Sequence, residues 1–253
     1  LGDTMHFKIN GYYLDNQQER IVLDNSKHLL VVAGAGSGKT LTILGKIKYL
    51  LEEKKINSDE ILCISFTKKA SLSLETKIKQ EFNTNITVYT FHKLGLEILK
   101  ERNKSFEIAD PNLLDDVINK FFQIEIFNYP KLMKLVIRYL NKKNTYKEVL
   151  STNKKEIDML SKTISTFIHL FKSNGYSIQD FTSFFKRIKF TLSYKKYISE
   201  SIFLLLTFNI YLLYTSYLTD NNEIDFDDML IEATNYVQEY DYSKRLKYII
   251  IDE

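Results

Sequence analysis

The sequence is poor in the residues that break or staple a chain: one cysteine, two prolines, eight glycines and no tryptophan in 253 residues. The lone Cys63 excludes an internal disulfide framework and a cysteine-rich zinc site, and it fits a reducing, cytoplasmic setting. So little glycine and proline excludes collagen-like, linker-rich and low-complexity chains. Charge of one sign is lacking too. The 35 Lys plus Arg stand against 32 Asp plus Glu, a net charge of +3, which excludes a supercharged nucleic-acid tail but leaves room for a basic face balanced by an acidic one. Residues 1–20 hold no basic start followed by an apolar run, so no secretory leader is predicted. Only one long run is free of charge, Ser201–Thr219, and its length could just cross a bilayer. Asn209 sits at its centre, and Glu200 and Asp220 bracket it where basic flanks would be expected. It is therefore predicted to be a buried helix of a soluble protein, with no membrane partner.

What is present is apolar and aromatic. Hydrophobic residues make up 44% of the chain, with 17 Phe and 17 Tyr, enough for a packed core or for stacking platforms. Short β-branched runs recur, and each leads into a helical pattern. His28–Ala33 reads as a buried strand followed by Leu44, Ile47 and Leu51 at helical spacing; Ile61–Phe66 is followed by Ala70, Leu74, Ile78 and Phe82; Ile86–Phe91 is followed by Leu94, Ile98 and Leu99. Such alternation predicts an α/β fold with a parallel sheet covered on both faces. From about Ser105 to Tyr242 helical periodicity takes over, and Lys247–Asp252 then returns to the apolar strand type. The helical stretch thus interrupts one α/β domain. The chain begins with Leu1 and stops soon after an apolar strand, which is expected of a fragment.

Between the first predicted strand and its helix lies Ala33-Gly34-Ala35-Gly36-Ser37-Gly38-Lys39-Thr40, a P-loop pattern in its proper context. Glycines let the backbone turn sharply and aim its N–H groups at an anion. Lys39 would pair with the β- and γ-phosphates of ATP, and Thr40 would place its hydroxyl on Mg²⁺. Ala33 stands where the general pattern has glycine. Asp252 and Glu253, at the end of an apolar strand, suit the partner carboxylates: Asp252 to hold Mg²⁺ and Glu253 to polarise the attacking water. Gln18 carries an amide able to donate and accept at once, which suits an adenine edge, though the same residue type is common on any surface.

Other features stay open on chemistry alone. Phe66 and Phe91 could end strands in the core or stack on bases, and His92 could touch phosphate or be a buried, satisfied histidine. Asp225, Asp227 and Asp228 could hold a metal, or Asp225 could cap a helix whose first turn carries the other two. Lys131, Lys134, Arg138 and Lys142 share a helical face, and Lys186, Arg187, Lys189, Lys195 and Lys196 form a second basic cluster interleaved with Phe184, Phe185, Phe190, Tyr194 and Tyr197. Both clusters could follow a DNA backbone or be solvated helix faces.

The ordered set LDNQQERIV, AGAGSGKT, ISFTKKAS, YTFHKLG, IDFDDML and YIIIDE resembles the UvrD/Rep-type superfamily 1 DNA helicases over nearly the whole chain. ISTFIHLFKSNG and YLTDNNEIDFDDML are most similar to the helicase IV branch. The resemblance implies a P-loop NTPase (RecA-like) parallel sheet interrupted by an all-helical insertion domain. It divides the chain into residues 1–104 (domain 1A with the Q motif, Walker A and motifs Ia and Ib), 105–242 (insertion 1B) and 243–253 (the Walker B strand). It assigns Gln18 to adenine, and Phe66, Thr67, Thr90 and His92 to single-stranded DNA. Lys68-Lys69 departs from the asparagine that relatives often carry after the Phe-Thr pair.

The implied activity is an ATP-driven motor that moves 3′ to 5′ on single-stranded DNA and opens duplex junctions. A second RecA-like domain, absent from these residues, would supply arginines to the γ-phosphate. The fragment alone is therefore expected to bind nucleotide weakly and not to unwind. The ATPase half of a helicase–nuclease subunit and a non-catalytic nucleic-acid-binding P-loop module are the alternatives. A small-molecule kinase is disfavoured by Gln18 ahead of the P-loop and by the long insertion.

Overall fold

A computed structural model describes residues 7–102, 105–191, 194–240 and 245–252, without the side chains of 189–191 and 194–195. It separates into two compact units, residues 1–99 with 233–253, and residues 100–232.

The first unit opens with a two-residue antiparallel pair, β1 (Lys8–Ile9) and β2 (Tyr12–Tyr13). Helix α1 (Asn16–Leu23) follows, and Asp15 caps it by accepting from the Gln17 and Gln18 amides at 2.8 Å. Helix α2 (Lys39–Lys48) runs on through a π-turn, Tyr49–Glu53. The two helices approach closely because Gly45 has no side chain: a Cβ there would lie 2.7 Å from Leu14 Cδ1 and 3.0 Å from Val22 Cγ2. Strand β3 (Ile61–Ser65) is buried at all five positions. Helix α3 (Lys68–Phe82), strand β4 (Thr87–Tyr89) and helix α4 (Phe91–Glu101) complete a strand–helix–strand–helix run.

The second unit begins with β5 (Glu107–Ile108) and then α5 (Leu113–Gln123), α6 (Pro130–Tyr139), α7 (Tyr146–Thr152), α8 (Lys154–Ser173), α9 (Ile178–Thr191) and α10 (Tyr194–Asp220). It ends on β6 (Glu223–Ile224) and the start of α11 (Phe226–Glu239), and β7 (Tyr248–Asp252) then returns the chain to the first unit.

The parallel sheet has the order β4-β3-β7. Parallel pairing and the alternating helices bear out the α/β class. One predicted strand is overturned. Among the described residues His28–Ala33 pairs with nothing in the sheet, and Leu30 and Val32 are 87% and 91% exposed. β7 is consequently an edge strand among the described residues, and its Ile249 and Ile251 are also more than half exposed. An apolar run declares that it gains by burial, but not which strand will cover it. The helical stretch, for its part, is tied at its two ends by a short parallel pairing of β5 with β6.

The long uncharged run lies within α10, which is long and apolar enough to cross a membrane by length and composition. Here Leu206, Ile210, Tyr214 and Leu218 are buried in the core of the helical unit, and Asn209 satisfies its amide on the Leu205 carbonyl at 2.7 Å. Phe184 and Phe185, interleaved with the second basic cluster, pack against the same core. Lys189, Phe190, Tyr194 and Lys195 fall among the undescribed side chains. In the other basic cluster Lys131, Lys134 and Arg138 are exposed, while Lys142 pairs with Glu156 at 2.9 Å.

The three aspartates of the IDFDD segment are a cap and an ion-pair cluster. Asp225 accepts from the Asp228 amide at 2.9 Å, which caps α11. Lys172 on α8, only 2% exposed, bonds both Asp225 and Asp228, and the Tyr214 hydroxyl donates to Asp225 at 2.7 Å. Among the described residues no group of acids and histidines has the form of a metal site. Burial by itself would lower Lys172, but the charges of Asp225 and Asp228 and its bonds to them outweigh it and raise its pKa. Burial pushes Asp225 upward and is outweighed by the same lysine, whereas at Asp228 burial prevails and its pKa rises. Beside them His169 Nδ1 lies 2.8 Å from Asp227 Oδ2.

Lys172→Met leaves the buried Asp225 carboxylate and the half-buried Asp228 uncompensated and is expected to cost about 3–5 kcal/mol in urea unfolding. Adding Asp225→Asn and Asp228→Asn restores most of that loss. The hydrogen bond to Asp227 raises the His169 pKa, against its burial and helped by the charges of Asp227, Asp225 and Asp115. A raised folded value means that this stabilisation is complete below the ordinary histidine pKa of about 6.5 and fades as pH climbs through the folded value. NMR titration is expected to show His169 above the ordinary range, and Asp227→Asn returns it there.

Candidate functional site

The P-loop residues form the turn that their composition predicts. Gly36 and Gly38 adopt φ of 77° and 83°, in the left-handed region that side chains disfavour, and α2 starts at Lys39. The Ser37 amide and hydroxyl both donate to the Gly34 carbonyl, at 3.4 and 2.8 Å, which tightens the loop. Gly34, Ala35, Gly36 and Ser37 are exposed, and Lys39 and Thr40 are half-buried in the first turn of α2. Lys39 Nζ donates to the Ala33 carbonyl at 3.4 Å, so the ammonium is folded back over the loop. A helix N-terminus, left-handed glycines and a lysine at one turn are a combination suited to phosphate oxygens.

Gln18 is held against this loop. Its Oε1 accepts from the Asp15 amide at 3.0 Å and its Nε2 donates to the Ser37 carbonyl at 3.3 Å. An amide has two N–H groups and two lone pairs, so one of each is left for a ligand edge. A Cβ at Gly38 would stand 2.6 Å from Gln18 Nε2 and would push that amide aside, and the left-handed backbone itself favours glycine there. The Asp15–Gln18 pair is a reciprocal capping box, a role for Asp15 that the pattern of an acid three residues ahead of a glutamine could have announced.

The ends of the parallel strands gather the remaining residues. Phe66 follows β3 and is 71% exposed, which overturns its core reading; Phe91 is 44% exposed and opens α4 instead of ending a strand. Thr67 Oγ1 accepts from the Ala70 amide at 3.1 Å, and Thr90 Oγ1 from the Lys93 amide at 3.2 Å. Both threonines therefore stand at a strand-to-helix junction as caps, with their own O–H protons still available to an anion. His92 is exposed in the first turn of α4. Asp252 ends β7 directly opposite Ser65 of β3. Burial, followed by the charge of Asp252, pushes the Cys63 thiol up to about 12, so Cys63 is an unreactive core residue.

The structure thus brings Gln18 to the P-loop, and Phe66, Thr67, Thr90 and Asp252 to one edge of the sheet. Among the described residues no hydrogen bond or ion pair joins Lys39 or Thr40 to Asp252. The lead-in 28–33, unpaired with the sheet, leaves the two halves of the site without a shared ladder. Glu253 lies outside the described residues.

With this geometry in view, the comparisons are specific. The model of the UvrD/REP helicase N-terminal domain family matches residues 14–253, and the chain belongs to that family. It is 26% identical over 253 residues to an ATP-dependent DNA helicase Rep of Buchnera aphidicola, covering 94% of this chain and 32% of that protein. It is likewise 26% identical to the ATP-dependent DNA helicase PcrA of Staphylococcus aureus, covering 95% of this chain and 29% of that protein. A probable DNA helicase II homolog of Mycoplasma capricolum is similar at 26% identity, with 95% and 30% covered. The chain spans about a third of the length of these curated relatives.

Gly38→Ala is expected to cost about 1–2 kcal/mol in urea unfolding, because its left-handed backbone disfavours a side chain. Gly34→Ala, where a Cβ meets nothing within 4 Å and φ is not positive, is expected to be neutral or to add up to about 1 kcal/mol.

Proposed function

We propose that this chain is the ATP-binding part of an ATP-dependent DNA helicase that moves 3′ to 5′ along single-stranded DNA. The observation that carries the proposal is the glycine turn opening α2 with Gln18 seated on it, in a chain matched to the helicase family from residue 14 to 253. In this reading residues 1–104 and 243–253 are RecA-like domain 1A and residues 105–242 are insertion 1B. The turn residues 33–38 and Lys39 hold the triphosphate, and the spare donor and acceptor of Gln18 read adenine. A similarity shared with Rep and PcrA supports DNA as the track.

The donor set fits Mg²⁺. The Thr40 hydroxyl and Asp252 carboxylate are hard oxygen ligands of the kind Mg²⁺ takes alongside nucleotide phosphates. When bound, the ion supplies charge that stabilises the transferring phosphoryl group. Thr40 and Asp252 would hold it, and Glu253 would orient the attacking water. Phe66, at 71% exposure, offers a stacking face to a base, and the O–H groups of Thr67 and Thr90, with His92, offer donors to phosphates. Duplex junctions are opened ahead of this track, and a second RecA-like domain completes the ATP site with arginines. These residues alone bind nucleotide weakly, hydrolyse it slowly and unwind nothing. The ATPase half of a helicase–nuclease subunit shares every feature of this reading; a non-catalytic module would tolerate loss of Lys39.

The test is DNA-stimulated phosphate release by the whole protein. Lys39→Ala is expected to lower kcat by about 100-fold or more, as loss of one preorganised donor to a developing charge does. Unchanged turnover in that variant overturns the motor reading. Rapid steady-state hydrolysis by residues 1–253 alone overturns the assignment of the missing arginines to a further domain.

A further inference from the structure

We infer that Ser65 is a positioning residue for the metal-holding carboxylate, its hydroxyl donating to Asp252. The inference rests on the proposed nucleotide site. Ser65 ends β3 and is 1% exposed, yet among the described residues its Oγ has no hydrogen-bond partner. Buried hydroxyls are expensive to leave unpaired, and an orphan at a functional edge points to a partner that the site supplies in its working form. The other buried side-chain atoms without partners among the described residues, on Glu156, Ser161 and Ser201, all lie in the helical unit. Ser161 and Ser201 sit within α8 and α10, where a carbonyl one turn back is within reach of a rotated hydroxyl. A strand offers no such local acceptor, because its carbonyls are spent on the ladder.

The acceptor nearest in register is Asp252. Ser65 pairs with Asp252 in the parallel ladder of β3 and β7, so the two side chains leave the sheet on the same face. Cys63 and Ile250 occupy that face one step back, and the charge of Asp252 acts on the Cys63 thiol, which places the carboxylate over this face. Among the described residues Asp252 accepts no hydrogen bond. The Ser71 hydroxyl is otherwise engaged, donating to the Lys68 carbonyl at 2.9 Å. A carboxylate that holds a metal through one oxygen needs its other oxygen fixed, and such outer partners are worth about 10–100-fold in metal affinity. The Ser65 O–H is the group placed to do this.

Mn²⁺ titrated against the whole protein saturated with ADP, followed by electron paramagnetic resonance, tests the assignment without turnover. Ser65→Ala is expected to weaken Mn²⁺ by about 10-fold or more, with metal-free ADP affinity unchanged, and Ser65→Thr is expected to retain it. A purely structural hydroxyl predicts the opposite pattern. Ser65→Ala would then raise the melting temperature by removing an orphan and would leave Mn²⁺ affinity as in the parent, and that result overturns the inference. Lys39→Ala separates the two readings. If it binds ADP as the parent does, the nucleotide site itself is wrong; if it loses ADP while Ser65→Ala binds Mn²⁺ normally, only the Ser65 assignment falls.

Discussion

The sheet half of the candidate site depends on one buried strand. β3 has no exposed residue, so it is the element whose removal from water the first unit cannot forgo, and it pairs on both sides. Pairing with β4 and β7 in parallel brings three strand ends to one edge. Phe66 and Thr67, Thr90, and Asp252 come from positions far apart in sequence, and the ladder alone makes them neighbours. Crevices at the carboxyl ends of parallel strands are where open α/β sheets take ligands, because helix N-termini converge there. The two threonine caps show how closely folding and chemistry are joined at such an edge. The same oxygen that starts a helix holds its own proton outward, so the residue that ends the strand also offers a donor.

The P-loop is organised by a different contact. Gly45 lets α1 lie against α2, and that close approach sets Gln18 over the Ser37 carbonyl. Gln18 then ties the cap of α1 to the turn that opens α2. A side chain expected only to read a base is, in the folded chain, also a strut between two helices. Its remaining donor and acceptor are pre-aimed by those bonds, which lowers the entropic cost of engaging a ligand edge.

Much of this was legible in the sequence, for identifiable reasons. The P-loop carries its geometry in its composition, since only glycine takes the left-handed turns at 36 and 38 without strain. The strands at 61–65 and 248–252 were readable because apolar runs of that length seek a parallel sheet, and the periodicity of α3 follows from its buried face. The misreading of 28–33 has an equally physical cause: the run has the apolar content of a strand but finds no pairing partner. Phe66 ends an apolar run and yet stands in solvent, because the buried strand stops one residue before it. Lys172 escaped notice since its partners lie more than fifty residues away, a non-local ion pair with no spacing rule to betray it. Ser65 is silent for the same reason: a serine in a strand means nothing until the strand beside it is known.

The bare flank of the sheet carries a practical consequence. Ile249 and Ile251 stand in solvent on a strand whose outer side, among the described residues, pairs with no neighbour in the sheet. An unprotected margin of this kind is a template on which a second polypeptide can zip, main chain to main chain. Charged side chains are the usual means of blunting such a margin, and here the exposed positions 249 and 251 carry isoleucine instead.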